Sequence, residues 1–240
     1  GIKGLLAFHV KRDKIPIETL DAYYLIRPGV GYIRIGSFGA TTYEEFMRAL
    51  MKLQLQGATD LILDLQDNGG GYLQAAVRVA NEFLRRNDLI VYTQGRNADR
   101  QEFRAQGDGG MLTGRVFVLV NEFSASAAEI VTGALQDQDR GIVVGRRSFG
   151  KGLVQRPIEF ADGSMMRLTV AHYYTPSGRC IQKPYTNGED PEYQQDLMSR
   201  YQHGEFFSQD SIKHTGPAYH TGIGRVVYGG VEDLLDAVDV

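Results

Sequence analysis

Cysteine is almost missing from this chain: Cys180 is the only one in 240 residues. A single thiol forbids an internal disulfide and cannot build a cysteine zinc cluster, although it leaves the redox compartment open. Histidine is scarce as well. His9, His172, His203, His214 and His220 stand in no recognisable triad context, and no His-x-x-x-His or carboxylate cluster has metal-site spacing. Nor is there an excess of positive charge. The 26 Lys and Arg against 29 Asp and Glu leave a net charge of −3, which argues against a nucleic acid partner. Long apolar runs are lacking too. Val116 to Val120 and Ile142 to Val144 fall far short of the roughly 18 residues a membrane helix needs, so no membrane span is expected. Gly1 opens no signal pattern, so an export signal is expected to have been removed or to lie outside this chain. With 7 prolines, 42% hydrophobic and 23% charged residues, the composition is that of a globular protein with a sizeable core.

What is present is an alternation of β and α patterns. Gly31 to Phe38 (GYIRIGSF) alternates as a strand. Thr42 and Glu45 then fit a capping box ahead of Phe46, Ala49, Leu50 and Leu53 at helical spacing. Asp60 to Leu65 (DLILDL) suits a buried parallel strand and ends in a loop with Gly69, Gly70 and Gly71, after which Leu73, Ala76, Val77, Ala80, Phe83 and Leu84 line one helix face. Leu89 to Thr93 and Arg115 to Asn121 read as strands, Ser124 to Gln136 as a helix, and Gly141 to Gly145 as a strand. Leu153 to Phe160 and Met165 to Tyr174 read as a hairpin turning at Asp162-Gly163. Beyond Tyr185 the pattern dissolves into an excursion around a short helix from Pro191 to His203. The alternation predicts an α/β domain with a largely parallel sheet.

The candidate chemistry starts at Ser126 and Glu129. Ser-x-x-Glu before an apolar helix is by default only a helix cap. Yet Ser124, Ala125 and Ser126 form a small-residue strand-to-helix turn, where amide groups and the helix dipole favour developing negative charge. A serine nucleophile needs a base, and without a histidine that base is a lysine, able to lose its proton near neutral pH only if desolvation lowers its pKa from about 10.4. Lys151, between Gly150 and Gly152 and beside Phe149, is expected in such a poorly solvated setting. Most lysines simply stay in water.

Three neighbours have rival readings. Gly145 to Lys151 matches most of the phosphate-binding pattern G-x-x-x-x-G-K-[ST], but residue 152 is Gly and a strand rather than a helix follows, so nucleotide binding is not expected. Gly69 to Gly71 is either an anion-binding nest or a tight strand-to-helix turn. Cys180, next to Arg179, is either an activated thiolate or an inert half-buried residue.

Taken together, VLVNEFSASAAEIVTGALQD (Val118 to Asp137), GRRSFGKGLVQ (Gly145 to Gln155), RLTVAHYYTPSGRCIQ (Arg167 to Gln182) and the block LILDLQDNGGGYL (Leu61 to Leu73) resemble the catalytic domain of the C-terminal processing peptidases, or tail-specific serine proteases. The resemblance runs to about Gly230. It implies a Clp protease/crotonase-like ββα core with additional strands and a C-terminal excursion. It also implies Ser126 as nucleophile, Lys151 as general base and Gln155 as the residue orienting the lysine amine, since four residues along a strand return to one face. An oxyanion hole would form from the Ala127 N–H and one N–H of the Gly70-Gly71 turn, with Glu129 in a supporting role. No metal or cofactor is implied. The implied substrates are proteins or peptides with apolar C-termini, in the periplasm or another extracytoplasmic space of a bacterium, and a homo-oligomer or an adaptor partner is compatible.

This sequence departs from the family pattern in four places. Gln66 replaces the arginine of the usual D-L-R, and Ala128 stands where a third serine is common. A PDZ domain usually precedes the core, whereas here residues 1–20 are expected as its flank or an N-terminal segment and residues 21–240 as the catalytic domain. After Gly230 comes VEDLLDAVDV instead of a G-G-x-x-P-D type segment. Two rivals share the scaffold: a non-catalytic peptide- or ligand-binding module, and an acyl-thioester enzyme of the crotonase group, which needs neither a Ser nor a Lys in these contexts.

Overall fold

A computed structural model describes residues 8, 18–184, 190–208, 211 and 216–228; most of the expected 1–20 flank lies outside the described residues. In chain order the first half contains β1 (Leu20–Arg27), β2 (Val30–Ile35), α1 (Thr42–Leu55), β3 (Asp60–Asp64), α2 (Leu73–Asn81), β4 (Leu89–Gly95) and β5 (Ala98–Arg104). The second half contains β6 (Val116–Val120), α3 (Ala127–Asp137), β7 (Ile142–Gly145), β8 (Leu153–Glu159), β9 (Met165–Tyr174), α4 (Asp190–Gln202), β10 (Ala218–His220) and β11 (Val226–Tyr228).

The expected parallel sheet is present as β2-β3-β6-β7, with β1 added antiparallel at the β2 edge. Burial alternates along its central strands: Ile33, Leu63 and Val118 share the face that enters the core, whereas Tyr32, Ile62 and Phe117 on the other face are only half-buried. Ile33, Ile35, Leu61 and Leu63 are buried, as are Phe46, Leu50 and Leu53 of α1 and Ala76, Val79 and Ala80 of α2. Each fully buried side chain of Leu, Ile or Phe size contributes roughly 1.5–3 kcal/mol. Helix α3 is buried along its whole length, which explains why its small residues, Ala127, Ala128, Gly133 and Ala134, are tolerated: they let α2 and the sheet approach.

Three findings modify the sequence reading, and one agrees with it. A second, antiparallel sheet of order β5-β4-β9-β8 accompanies the first; its β5 is polar and mostly exposed and has no apolar alternation to read. Helix α3 begins at Ala127, three residues after the expected start, because Ser124 to Ser126 form the turn that leads into it. The Thr42/Glu45 capping box does not form. Thr41 is the residue preceding α1, and Glu45 instead accepts hydrogen bonds from the Thr19 and Leu20 N–H groups at 2.8 and 3.2 Å, fastening β1 to the helix. The hairpin does turn at Asp162-Gly163, with Gly163 at φ +83° and the Ser164 N–H bonded to Asp162 Oδ1 at 2.9 Å.

Candidate active site

Three loops leave the carboxyl ends of the adjacent parallel strands β3, β6 and β7, the edge where open α/β sheets place their sites. The loop after β3 carries the glycines, the loop after β6 the serines, and the loop after β7 the lysine.

The serine turn is fixed by its first serine. Ser124 is buried; its Oγ donates to the Leu65 carbonyl at 2.7 Å and accepts the Asn121 N–H at 2.9 Å. That leaves Ser126, half-buried, at the junction with α3 in a left-handed conformation, φ 55° and ψ −110°. Such a conformation costs a non-glycine residue about 1–3 kcal/mol. A strained strand-to-helix turn of this kind presents a side chain ahead of the helix N-terminus.

The glycine turn packs directly on it. Gly70 has φ +92°, and a side chain there would begin 2.6 Å from the Ala125 oxygen, 2.7 Å from Ser126 Cβ and 2.8 Å from the Ala127 nitrogen. Only a hydrogen fits. The Gly70 N–H is already bonded to Asn68 Oδ1 at 2.8 Å, while Asn68 Nδ2 donates to the Ile35 oxygen at 2.7 Å. The N–H groups of Gly71 and Ala127 have no hydrogen-bond partner among the described residues. Of the three backbone groups expected for an oxyanion hole, Gly70 is therefore occupied and Ala127 and Gly71 are available.

Glu129 has a larger role than a cap. Its buried carboxylate accepts the Ser126 N–H at 2.6 Å, the Ser148 hydroxyl at 2.7 Å, the Gly150 N–H at 2.6 Å and the Lys151 N–H at 2.9 Å. The Ser126 and Lys151 amides share one oxygen, Oε2, so a single carboxylate joins the serine turn to the lysine loop. Burial pushes its carboxyl above the ordinary range, against the pull of these four donors. The same contacts bear on the phosphate-loop reading: Gly150 and Lys151 turn their amides to Glu129, which makes them unavailable to a phosphate.

The lysine loop is also tied at its start, where Arg146 forms an ion pair with Glu122 at 2.7 Å and the Phe149 N–H donates to the Ser124 oxygen at 2.9 Å. Lys151 itself is exposed, not poorly solvated as expected. Its two glycine neighbours offer no cover, β8 is an edge strand, and the Phe149 ring lies under Lys183 Nζ, 4.7 Å from the ring centre. The strand-period argument for Gln155 fails as well. Lys151 lies two residues ahead of β8, and a bulge between Val154 and Gln155 shifts the register. Gln155 is exposed, and neither it nor Ser126 is hydrogen-bonded to Lys151 Nζ among the described residues.

Other residues singled out above fall elsewhere. Burial raises the Cys180 thiol above its ordinary value, the opposite of an activated thiolate. Its neighbour Arg179 is buried in an ion pair with Asp137 at the far end of α3, where Asp137 Oδ2 also accepts the Ser177 N–H at 3.0 Å. Where the family arginine is replaced by Gln66, a guanidinium arrives from β2. Arg34 reaches Asp67 at 3.0 Å, Asp21 at 3.2 Å and Asp64 at 3.6 Å, a role the sequence reading missed because Arg34 lies in an ordinary strand alternation.

Fold and loops define the class: an α/β scaffold that sets a serine at a helix N-terminus beside a glycine turn. The model of Peptidase family S41 matches residues 29–194, and the chain belongs to that family. It is 46% identical over 160 residues to a carboxyl-terminal-processing protease of Synechocystis, covering 65% of this chain and 37% of that protein. It is 36% identical over 194 residues to the carboxy-terminal processing protease CtpA of Bacillus subtilis, covering 79% and 41%. Among solved structures it is similar to a photosystem II D1 C-terminal processing protease, with a TM-score of 0.63 at 34% identity over 71% of this chain and 47% of the other. The chain thus spans well under half the length of these curated relatives.

Proposed function

We propose that this chain is the catalytic core of a serine endopeptidase that works with a Ser126/Lys151 pair. The observation that carries the reading is the convergence of the Ser126 and Lys151 amides on the Glu129 carboxylate. A peptidase of this type needs nucleophile and base held in fixed register, and a shared buried acceptor supplies that register.

In the proposed reaction bound substrate covers Lys151, which is exposed in the free chain, and the amine so desolvated, in its neutral form, takes the Ser126 hydroxyl proton as Oγ attacks the scissile carbonyl. The carbonyl oxygen becomes an oxyanion held by the Ala127 and Gly71 N–H groups. Collapse breaks the C–N bond, and the Lys151 ammonium returns its proton to the leaving amine. Water, deprotonated by the same amine, then cleaves the acyl-Ser126 ester and frees the enzyme. Gln155 is proposed to orient the lysine amine when substrate is bound. The relatives are named for carboxyl-terminal processing, and on that basis the proposed substrates are proteins cut near their C-termini; apolar tails and a periplasmic or other extracytoplasmic setting are proposed from the sequence resemblance alone.

The test follows cleavage of an unstructured protein with an apolar C-terminus across pH, comparing this chain with Ser126→Ala and Lys151→Ala. Loss of cleavage by about 10³-fold or more in both variants, with a wild-type rate that rises with pH, supports the reading. Cleavage that survives in Ser126→Ala rejects it, and binding without cleavage leaves a PDZ-dependent enzyme or the peptide-binding module, which cleavage restored by a supplied PDZ domain would decide for the enzyme.

A further inference from the structure

Helix α4, an apparent excursion in the sequence, reaches the lysine loop through one side chain. Among its described positions Gln195, Met198, Ser199, Tyr201 and Gln202 are exposed, whereas Arg200 is buried, 3% accessible. Among the described side chains of this helix Arg200 alone is buried, so polar contacts carry its attachment there. The Arg200 guanidinium donates to the Arg147 oxygen through Nη2 and to the Ser148 oxygen through Nη1, the latter at 3.2 Å. Its carboxylate partners stand no closer than that, Glu205 at 3.2 Å and Asp196 at 3.9 Å. Glu205 also binds Arg147 at 2.8 Å, and Asp196 binds Lys183 at 3.2 Å, whose N–H donates to the Gly150 oxygen at 2.9 Å.

The residue whose carbonyl Arg200 holds, Ser148, is also the one whose hydroxyl reaches Glu129. From Arg200 a continuous chain of hydrogen bonds therefore runs through the Ser148 backbone to the Glu129 carboxylate and on to the Lys151 and Ser126 amides. A planar guanidinium that bridges two successive carbonyls fixes the backbone between them, which a point charge such as an ammonium cannot do. Arg200 and Glu205 both lie beyond residue 194, where the match to the family model ends.

We infer that Arg200 is a positioning residue for the base: by gripping the Arg147 and Ser148 carbonyls, α4 sets the backbone from which Lys151 reaches the site. The functional half of this inference rests on the Ser/Lys reading above, while the structural half does not. Anything that lifts α4 would loosen the lysine loop while leaving the sheet intact.

The test compares this chain with Arg200→Gln, Arg200→Lys and Glu205→Gln by amide hydrogen exchange and by steady-state cleavage. In Arg200→Gln, exchange over residues 146–152 should rise about ten-fold or more while β3 and β6 stay protected. The kcat should fall about ten-fold or more with KM within about two-fold, as expected when a base is misplaced and binding is not. Arg200→Lys should retain part of the protection, and Glu205→Gln should shift both readouts in the same direction by less. Unchanged exchange over 146–152, or a rise shared equally by β3 and β6, overturns the inference. Should the wild-type chain cleave nothing even with a PDZ domain supplied, the peptidase reading fails, and the exchange arm still decides what Arg200 holds.

Discussion

Replacing Glu129 with alanine and with glutamine should have very different consequences. Alanine leaves three amides and the Ser148 hydroxyl without their acceptor. Each buried donor left unpaired costs about 1–3 kcal/mol. Water reaches the partly buried Ser126 and Lys151 amides, so the sum is not additive, and a loss of about 3–5 kcal/mol is expected. Glutamine can place its oxygen where Oε2 sits, keeping the Ser126 and Lys151 amides, and direct its NH₂ to Ser148 Oγ, whose hydroxyl can rotate to accept. Only the Gly150 N–H is then orphaned, for about 1–3 kcal/mol. The assay is urea unfolding followed by tryptic susceptibility or far-UV circular dichroism, with cleavage measured at the same pH. Alanine should also lower kcat by about 10²-fold, since the serine turn and lysine loop lose their common anchor. The effect has a pH signature. Because burial raises the Glu129 carboxyl above its ordinary 4.5, the folded protein holds that proton more tightly than the unfolded chain. The stability from this group is fully present below pH 4.5 and is lost as the pH rises through the folded value. Wild type should therefore lose stability relative to the glutamine variant on going from acid toward neutral pH. An alanine variant within about 1 kcal/mol of wild type, or a glutamine variant worse than alanine, would mean that Glu129 is not the anchor of the two loops.

Other outcomes follow from single positions. Gly70→Ala must accommodate a methyl group 2.6 Å from the Ala125 oxygen and 2.7 Å from Ser126 Cβ at φ +92°; overpacking and backbone strain together should cost about 2–6 kcal/mol by urea titration, and activity should fall about 10²-fold or more. Arg179→Met leaves the Asp137 carboxylate buried without its guanidinium, so it should cost about 3–5 kcal/mol, and the double change with Asp137→Leu should recover much of that. Tyr32 and Tyr43 are each raised to about 12 by burial and by hydrogen bonds to Asp64 and Glu82. Absorbance titration should show two phenols ionising near pH 12, each lost from wild type on replacement by Phe. Their stabilisation is present below pH 10 and is lost as pH rises through about 12.

The parallel core was legible because its signals are local. DLILDL and RVFVLVN are short apolar runs ended by turn residues, which suit strands, and the Phe46, Leu50 and Leu53 spacing has one helical solution, although the runs hid that only one face of each strand enters the core. Polar edges were not legible: β5 pairs through its backbone and shows no pattern in its side chains. Glu129 reads as a cap in sequence because its first partner is three residues away, whereas the other three, Ser148, Gly150 and Lys151, lie 19 to 22 residues on. The same distance effect misled the Thr42/Glu45 assignment, since Glu45 prefers the amides of Thr19 and Leu20, 26 and 25 residues back. Exposure of Lys151 was hidden for a different reason. Neighbouring apolar letters such as Phe149 give no direction, and that ring faces Lys183.

In the proposed mechanism Ser126 Oγ is the atom that forms the covalent intermediate. Acid quenching during turnover of a protein substrate, followed by intact-mass measurement and peptide mapping, tests it most directly. An acyl adduct is expected on the peptide containing Ser126, absent in Ser126→Ala and in Lys151→Ala. An adduct on Cys180, or steady cleavage with no adduct on Ser126 under conditions that slow deacylation, would contradict it.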